Sequence, residues 1–239
     1  MRAAILSDIH GNFAALEAVL RAAREASVEV IINAGDCVGY YYHPHQVYRK
    51  LKSLGAISIR GNHEDMLRDW VEDREGVRER IRGKYGSGLE VAAEEFSPEE
   101  MNEIFQMPEE RTLSLDGSTV HVCHGAPWDP GGYVYPDAPD EFKSRIAREV
   151  PEGLVVMGHT HYPIHWDLGK VVAVNPGSVG QPRDRKPGAC WALFDSNNDA
   201  LELRRESYDY ESVIRECEQR DPGLPFLGEV LRRRKEAVE

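Results

Sequence analysis

The sequence has little of three features that define other classes of protein. Its four cysteines are far apart among 239 residues and show no CxxC spacing, which argues against a zinc knuckle and a disulfide framework. No apolar run approaches the roughly 18 to 20 residues that a membrane span requires. The N-terminal apolar stretch of "MRAAILSDIHGNF" is interrupted by Asp8, too soon for a signal peptide. We therefore expect a cytoplasmic protein with reduced thiols and no membrane association.

Positive charge is also scarce. The chain contains 29 Lys and Arg residues against 41 Asp and Glu residues, and its formal net charge is −12. The one stretch rich in Lys and Arg, "LRRRKE", lies near the C-terminus. Such a chain repels polyanions, so duplex nucleic acid is not expected as a partner. Binding of an anionic substrate would need a region of positive electrostatic potential, which bound cations would supply.

One pattern recurs along the chain: a short apolar run ends at a cluster of Gly, Asp, Asn and His. It occurs in "AAILSDIHGN", "VEVIINAGD", "AISIRGNHE", "TVHVCHGA", "LVVMGHTH" and "VVAVNPGS". Between the first two, "FAALEAVLRAAREA" places Leu16, Val19 and Leu20 at helical spacing, which predicts a βαβ unit with a parallel strand pair. Continuous apolar strands are typical of sheets covered on both faces, and ligands bind at the carboxyl ends of such strands. We therefore expect the polar clusters to converge in space.

The remaining segments are predicted to be helical. Residues 64–112 are charged and helix-rich, and "SPEE" at 97–100 is a capping box that predicts a helix start. We expect this segment to lie near the rim of the site. Beyond about residue 207, "YESVIRECEQR" and "LGEVLRRRKE" predict terminal helices, packed either on the core or on a partner. The predicted organisation is a main domain over 1–205 and a C-terminal helical extension over 206–239.

The side chains of the strand-end clusters form a set suited to transition metals. The set comprises Asp8, His10, Asp36, Asn62, His63, His124, His159 and His161, and it holds five of the nine histidines in the chain. Carboxylate, imidazole and amide ligands suit Mn²⁺, Fe²⁺, Zn²⁺ or Ni²⁺ better than Ca²⁺. So many ligands favour two ions over one. In a two-metal site with the ions about 3.5 to 4 Å apart, a bridging hydroxide is a nucleophile available at neutral pH.

The order of these motifs resembles a known family. "DIH", "GD", "GNHE", the His of "CHG" and "GHTH", each following a strand, are similar to the motifs of the calcineurin-like metallophosphoesterases. The resemblance covers roughly residues 1 to 205. It implies an α/β fold, a two-sheet mixed β-sandwich flanked by helices, and hydrolysis of phosphoric esters.

The resemblance also implies a role for each residue of the set. Two divalent ions, with Mn²⁺ favoured, would be held by Asp8, His10 and His161 for the first, by Asn62, His124 and His159 for the second, and by Asp36 as the bridge. His63 would contact the phosphoryl oxygens and protonate the leaving alkoxide. Asp36 and His63 are thus the predicted catalytic residues.

Departures from the family pattern narrow the range of expected substrates. Protein phosphatases and diadenosine tetraphosphatases of the superfamily follow "GD" with Asp-Arg-Gly, whereas this chain reads "GDCVGYYYHPHQV" and lacks that phosphate-clamping arginine. Small bacterial phosphodiesterases of the superfamily often carry Cys at the position of His63. The stretch "NPGSVGQPRD" resembles the same branch. We expect a prokaryotic phosphodiesterase-like protein.

Candidates for substrate contact are Asn12, Tyr133, Tyr135 and Arg183. Arg183 is a candidate to replace the missing phosphate-binding arginine, because a guanidinium group matches the geometry of a phosphate. The alternative is a loop arginine paired with Asp184 or Asp195. The two tyrosines could stack on a nucleobase or could pack locally.

The leading hypothesis is a metal-dependent phosphodiesterase that acts on a small phosphorylated substrate, with nucleotides among the candidates. A nucleotide pyrophosphohydrolase or a phosphomonoesterase is an alternative, because the metals need only a phosphoryl group. A non-catalytic metal-binding scaffold is an alternative of another class, similar to one retromer subunit. The complete ligand set favours an enzyme. The oligomeric state stays open.

Overall fold

The computed structural model describes residues 1–73 and 76–233. In these residues the strands are β1 Arg2–Leu6, β2 Val30–Asn33, β3 Ile57–Ser58, β4 Glu110–Leu115, β5 Ser118–Cys123, β6 Gly153–Val156, β7 Ile164–Asp167, β8 Val171–Asn175, β9 Ala189–Asp195 and β10 Ala200–Glu206. The helices are α1 Phe13–Glu25, α2 Pro44–Ser53, α3 Asn62–Val71, α4 Val77–Tyr85, α5 Gly88–Glu95, α6 Pro98–Phe105, α7 Asp140–Glu149, α8 Tyr210–Arg220 and α9 Phe226–Arg232.

The strands form two mixed sheets of five strands each. The order in the first sheet is β10-β9-β1-β2-β3, and the order in the second is β4-β5-β6-β8-β7. In the first sheet β1 pairs parallel with β2 and antiparallel with β9. In the second sheet β6 pairs parallel with β5 and β8, while the outer strands β4 and β7 pair antiparallel. The expected mixed β-sandwich is therefore confirmed.

The sheets pack face to face, and side-chain alternation along each strand divides the core. Ala3 and Ile5 of β1 lie in the same buried cluster as Val120 and Val122 of β5, so this cluster fills the space between the sheets. Ala4 and Leu6 belong instead to the cluster that β1 forms with α1, α3, α5 and α6. On the second sheet, α7 covers the outer face through Ile146. The central strands β1, β9 and β6 are thus buried on both faces, as the continuous apolar runs predicted, whereas the outer strands β4 and β10 are mostly exposed or half-buried.

The helices predicted from local patterns form as expected. Helix α1 buries Leu16, Val19 and Leu20 and connects the parallel pair β1 and β2, which confirms the βαβ unit. Helix α6 begins after the capping box, in which the Glu100 backbone N–H donates to Ser97 Oγ at 3.2 Å. Helix α8 coincides with "YESVIRECEQR".

Helices α3 to α6 occupy most of the segment 64–112, whose last three residues, 110–112, belong to strand β4. In the C-terminal segment, α8 and α9 pack against the buried rings of Tyr40, Tyr41 and Tyr42 on the loop after β2. The predicted terminal helix therefore packs on the core of its own chain as far as Arg232. Residues 74–75 and 234–239, which fall in the two segments predicted to be helical, lie outside the described residues.

All four cysteines are buried free thiols, in agreement with the absence of a disulfide framework. Among residues 1–73 and 76–233, no helix combines the length and the apolar character needed to cross a bilayer.

Candidate metal centre

The predicted ligands meet where strands of both sheets end. Asp8 follows β1 and Asp36 follows β2 in the first sheet, whereas His124, His159 and His161 follow β5 and β6 in the second. The same site receives the first two residues of α3, Asn62 and His63. The site therefore lies across the carboxyl ends of the two central strand pairs, as the recurring pattern predicted.

The backbone at these positions is unusual. Five of the predicted ligands have left-handed φ angles: Asp8 at 54°, His10 at 52°, Asp36 at 56°, His159 at 67° and His161 at 62°. Non-glycine residues adopt this region uncommonly, and such conformations cluster at functional sites where the surrounding structure maintains them. Here the sharp turns bring successive side chains back toward one point.

The first ligand group consists of Asp8, His10 and His161. His10 Nε2 lies 3.1 Å from His161 Nε2, and His161 Nε2 lies 3.3 Å from Asp8 Oδ1. His10 Nε2 lies 3.8 Å from the same carboxylate oxygen. Atoms that bind one ion at about 2.0 to 2.2 Å lie about 3 to 3.5 Å apart. The spacing of this group suits one ion.

The second ligand group surrounds His124. Its Nε2 lies 3.3 Å from Asp36 Oδ2 and 3.1 Å from Asn62 Oδ1. One ligand atom from each of Asp36, His124 and His159 falls within a mutual distance of 4.8 Å. Asp36 Oδ2 is also 3.8 Å from His10 Nε2 in the first group. Asp36 therefore lies between the two groups, where a bridging carboxylate would be.

Hydrogen bonds to backbone carbonyls orient three of the histidine rings. The Nδ1 atoms bond to carbonyl oxygens as follows: His10 to Val38 at 3.0 Å, His124 to Ala34 at 2.7 Å and His161 to Gln181 at 2.7 Å. A carbonyl oxygen only accepts, so each Nδ1 carries the hydrogen and each Nε2 points into the site. Ligands oriented in this way are typical of metal-binding histidines.

The contact between His10 and His161 tests whether the site fits a cation. Both rings are buried, and their Nε2 atoms face each other at 3.1 Å. Burial and the neighbouring His63 hold the pKa of His10 well below its usual value, so this ring offers a lone pair at Nε2. That lone pair faces the Nε2 of His161, with the Asp8 carboxylate beside it, so a cation, either a proton or a metal ion, is favoured between these atoms. The donor set therefore fits a divalent metal ion.

The carboxylates are ionised in spite of their burial. Burial alone would raise the pKa of Asp8 and Asp36, but His161 beside Asp8 and His124 beside Asp36 lower both values below the usual range. Conversely, Asp36 opposes the effect of burial on His124 and raises the pKa of that ring. The buried cluster thus attracts positive charge, whether as a proton or as a metal ion.

Glu64 is a buried residue of the site that the sequence analysis did not single out. Its carboxylate accepts hydrogen bonds from four backbone N–H groups: Gly61 at 2.7 Å, Cys37 at 2.8 Å, Asp36 at 2.9 Å and Val38 at 3.3 Å. It thereby fixes the loop after β2 against the start of α3. A signal was present, since Glu64 is the third residue of the helix that "GNHE" opens, a capping-box position.

His63 lies beside both ligand groups. Its backbone N–H donates to Asp36 Oδ1 at 2.8 Å, and its ring centroid is 4.6 Å from that of His10. Burial lowers the pKa of His63 to about 4, and its Nδ1 has no hydrogen-bond partner. His63 also forms a possible ligand trio with His10 and Asp36. The geometry therefore permits a metal ligand as well as the predicted acid.

A cleft of about 160 Å³ opens over the two ligand groups. Its lining includes Asp36, Asn62, His63, His159 and His161, together with Tyr40, Lys84, Tyr85, Tyr133 and Arg183. Lys84 and Tyr85 are the last residues of α4, in the segment expected near the rim. No local motif marks Tyr40, Lys84 or Tyr85, because only the tertiary packing brings them to the cleft.

Arg183 reaches the cleft and is available for an anion. Its Nη2 donates to the Tyr40 hydroxyl at 3.0 Å and to Gln181 Oε1 at 3.1 Å. The two carboxylates considered as partners are occupied elsewhere, since Asp184 pairs with Arg205 and Asp195 pairs with Arg2. Neither of these two carboxylates therefore forms an ion pair with Arg183.

The two tyrosines differ in position. Tyr133 is 52 % exposed, lines the cleft, and has its ring centroid 4.1 Å from that of His159. Tyr135 is 41 % exposed and stacks on Tyr133 at 5.9 Å, but it is absent from the cleft lining. Tyr135 therefore extends the aromatic surface beyond the cleft.

Asn12, a candidate for substrate contact, is not among the residues that line the cleft. Asn12 is buried at the N-terminus of α1, where its Oδ1 accepts from the Ala15 backbone N–H at 3.1 Å. Its Nδ2 donates to Gly180 O at 2.9 Å and to the Tyr208 hydroxyl at 3.0 Å. The amide is fully used within the protein, so its role is to cap the helix and hold two loops together.

Comparison with known proteins places this geometry in a family. The chain is 28 % identical over 234 residues to an uncharacterized protein of Methanocaldococcus jannaschii, covering 89 % of this chain and 91 % of that one. Its fold is similar to that of a metallophosphoesterase from Sphaerobacter thermophilus, with a TM-score of 0.77, 26 % identity, and coverage of 97 % and 98 % of the two chains. A hypothetical protein from Pyrococcus horikoshii shares the fold with a TM-score of 0.80, 22 % identity and coverage of 99 % of each chain.

The family model described as the calcineurin-like phosphoesterase superfamily domain matches residues 1–199, the part of the chain that contains every predicted metal ligand. The chain belongs to the calcineurin-like phosphoesterase superfamily.

Proposed function

We propose that the protein is a phosphodiesterase that hydrolyses a small phosphorylated substrate at a binuclear metal centre. One observation carries the proposal: Asp36 lies between two ligand groups of suitable spacing, directly below a cleft that His63 also lines. Asp8, His10 and His161 would hold one ion, and Asn62, His124 and His159 the other, with Asp36 as the bridge. When bound, such ions activate the attacking water and neutralise charge on the phosphoryl group.

The side chains of the cleft would bind and orient the substrate. Arg183 and Lys84 supply two positive charges on the cleft wall, which suits a phosphate oxygen that does not face the metal groups. Tyr133 and Tyr85 add aromatic surface for an organic substituent of the ester. A phosphodiester carries two such substituents and a single negative charge.

His63 would supply the proton that the leaving group needs. During hydrolysis the oxygen of water bonds to phosphorus, and the bond between phosphorus and the leaving oxygen breaks with its electron pair on that oxygen. His63 would protonate this alkoxide, and the proton that the attacking water loses would pass to solvent, which yields an alcohol and a phosphate monoester. Approach of the anionic phosphate favours the protonated imidazole, opposing the burial that lowers its pKa.

The same residues could cleave a monoester or a phosphoanhydride, so a phosphomonoesterase and a nucleotide pyrophosphohydrolase remain alternatives. A scaffold without activity is less well supported. A protein that only bound metal would not need His63 and two cationic side chains on the same open cleft.

Turnover of three substrates by the Mn²⁺-loaded protein tests the proposal. We expect hydrolysis of bis-p-nitrophenyl phosphate with a higher kcat/KM than for p-nitrophenyl phosphate or ATP. Asp36→Asn should reduce that turnover by about 10³-fold or more, because the bridging position loses its charge. The exposed Asp140 on α7 provides a control, and Asp140→Asn should leave turnover unchanged. Undiminished activity in Asp36→Asn would contradict the mechanism, and a preference for ATP would favour the pyrophosphohydrolase.

A further inference from the structure

A second cavity, of about 860 Å³, adjoins the cleft, and Arg183 lines both. We call this cavity the basic groove. Its charged lining consists of Arg183, Asp184, Arg185, Lys186, Arg204 and Arg205. The groove thus begins at the cleft wall and continues along the loop between β8 and β9.

Three of the five cations in the basic groove are not neutralised. Arg205 pairs with Asp184 at 2.6 Å, and Arg204 pairs with Glu202 at 2.6 Å. Among residues 1–73 and 76–233, no carboxylate forms an ion pair with Arg183, Arg185 or Lys186. In a chain with a formal charge of −12, this concentration of positive charge is local and adjoins the cleft through Arg183.

The loop that carries these cations is held in a fixed shape. Arg205 Nη1 donates to Lys186 O at 2.5 Å, and the Lys186 backbone N–H donates to Asp184 Oδ1 at 3.3 Å. Between them Arg185 has a left-handed φ of 61°. Arg204 Nε is buried without a hydrogen-bond partner. A loop that is already ordered loses less conformational entropy on binding, which favours recognition of an anion.

We propose that the basic groove binds a second phosphate group of the substrate, distinct from the phosphate that is hydrolysed. The inference rests on the proposed function, since it defines the substrate of that same site as one with at least two phosphates. Guanidinium groups bind phosphate oxygens in a bidentate manner, and a lysine adds a point charge. Arg183 lies where the cleft and the groove meet, so it would contact the link between the two phosphates.

Two kinds of molecule present such a pair of phosphates. In a nucleoside bisphosphate or a short single strand the phosphates are joined through a sugar, and in a nucleoside diphosphate they are joined by an anhydride. The chemistry shared by both is a second phosphate near the reacting one. Competition by thymidine 3′,5′-bisphosphate and by thymidine 5′-diphosphate distinguishes these sources, because the tighter inhibitor has the linkage that fits the groove.

The test compares two chromogenic substrates with the same scissile bond. Thymidine 5′-(p-nitrophenyl phosphate) carries one phosphate, and its 3′-phosphorylated derivative carries two. We expect the Mn²⁺-loaded wild-type protein to have a KM about tenfold lower for the second, which corresponds to about 1.4 kcal/mol. The double variant Arg185→Ala/Lys186→Ala should abolish this difference and leave the KM for the first substrate within about twofold.

A matched control removes the same charge elsewhere. Arg21 and Arg24 are exposed on α1 and line neither the cleft nor the basic groove. Arg21→Ala/Arg24→Ala should retain the difference between the two substrates. Equal KM values in the wild-type protein, together with thymidine 5′-diphosphate binding no tighter than thymidine 5′-monophosphate, would overturn the proposal. Equal changes for both substrates in the groove variant, or the same loss in the control variant, would also overturn it.

Calorimetry separates this proposal from the proposed function. If the wild-type protein hydrolysed neither substrate, the phosphodiesterase assignment would fail, but binding to the metal-loaded protein would still decide the groove. Tighter binding of thymidine 3′,5′-bisphosphate than of thymidine 5′-monophosphate, lost in Arg185→Ala/Lys186→Ala, would support a second phosphate site. Equal binding of thymidine 3′,5′-bisphosphate, thymidine 5′-diphosphate and thymidine 5′-monophosphate would exclude it.

Discussion

The Asp36 backbone N–H donates a hydrogen bond to the Glu64 carboxylate at 2.9 Å, so the residue in the bridging position is held by a second, deeper carboxylate. The side chain of Asp36 in turn accepts a hydrogen bond from the His63 backbone N–H at 2.8 Å. Two acidic residues on different elements thus fix the loop after β2 and the start of α3 relative to each other. The geometry of the proposed bridge depends on this connection.

Replacement of Glu64 by Gln should therefore weaken metal binding without removing a ligand. The carboxylate accepts from four N–H groups, whereas an amide offers a single oxygen and turns its own donors toward the others. We expect the free energy of unfolding to fall by about 2 to 4 kcal/mol. Mn²⁺ affinity should fall by about 10- to 100-fold, the usual effect of losing an outer partner of the ligands.

Urea unfolding and calorimetric Mn²⁺ titration measure the two effects of Glu64→Gln. Glu17 is exposed on α1 and serves as the control, and Glu17→Gln should change neither quantity. Wild-type metal affinity in Glu64→Gln would show that the loop keeps its geometry without the carboxylate.

His63→Ala should reduce kcat according to the leaving group. A poor leaving group such as an alkoxide needs a proton, so we expect its kcat to fall by about 10² to 10⁴-fold. p-Nitrophenolate leaves without protonation, so its kcat should fall much less. The kcat of His63→Ala is measured on bis-p-nitrophenyl phosphate and methyl p-nitrophenyl phosphate, which have a good leaving group. It is compared with the kcat on an alkyl diester, which has a poor one.

The metal content of His63→Ala decides between the two roles that the geometry permits. His63 lies within ligand distance of His10 and Asp36. A catalytic acid would leave the stoichiometry of bound Mn²⁺ at the wild-type value. A lower stoichiometry, together with equal loss of activity on good and poor leaving groups, would identify His63 as a ligand instead.

Gly39→Ala should disturb His63 directly. Gly39 has a φ of +100°, and a Cβ there would overlap His63 Nδ1. Gly117, in the turn between β4 and β5, has a similar φ of +95° with open space around it. Both substitutions should cost about 1 to 2 kcal/mol of unfolding free energy for the left-handed backbone. Gly39→Ala should destabilise further and also reduce kcat.

Denaturant melts and turnover of both glycine variants measure the difference. Because the backbone penalty is common to the pair, any excess in Gly39→Ala reports the contact with His63. Equal stability and equal activity of Gly39→Ala and Gly117→Ala would mean that the ring of His63 is free to move.

Asp221 connects the C-terminal helices to the cleft, so Asp221→Asn should weaken substrate binding. Asp221 Oδ2 accepts from the Tyr42 hydroxyl at 2.8 Å and from the backbone N–H and hydroxyl of Ser87, each at 2.9 Å. Ser87 closely follows Lys84 and Tyr85, which line the cleft. We expect a loss of about 1 to 3 kcal/mol of unfolding free energy and a raised KM.

Asp209 in the same C-terminal segment provides the control for Asp221. Asp209 caps α8 through a hydrogen bond from the Ser212 backbone N–H, and Asn caps a helix about as well as Asp. Asp209→Asn should therefore be close to wild type in both stability and KM. An Asp221→Asn variant that matched it would show that the C-terminal helices do not position the cleft.

The sequence predicted the parts of the fold that depend on local patterns. The polar clusters after β1, β2, β5 and β6 could be recognised because each apolar run stops at residues that turns require. Helices α1 and α6 could be recognised from their spacing and capping. Strand β9, by contrast, is a continuous apolar run, "ACWALFD", that the recurring pattern did not include. Periodicity alone does not distinguish such a run from a buried helix.

The two ligand groups could be predicted from the sequence more readily than the residues of the cleft wall. Asp8 and His161 belong to short motifs, so they could be placed together before the fold was known. Lys84 and Tyr40 come from a helix and a loop that meet at the cleft only through long-range packing. The capping role of Asn12 was also recognisable, since an Asn directly before an apolar periodic run is a favourable helix cap.

The stoichiometry of bound metal tests the central claim most directly. Elemental analysis of the purified protein after loading with Mn²⁺ and removal of free ion should give about two ions per chain, as expected for a binuclear site. Asp36→Asn should bind fewer, because Asp36 lies between both groups. A wild-type protein with no bound metal, or with one ion that Asp36→Asn retains in full, would contradict the binuclear centre.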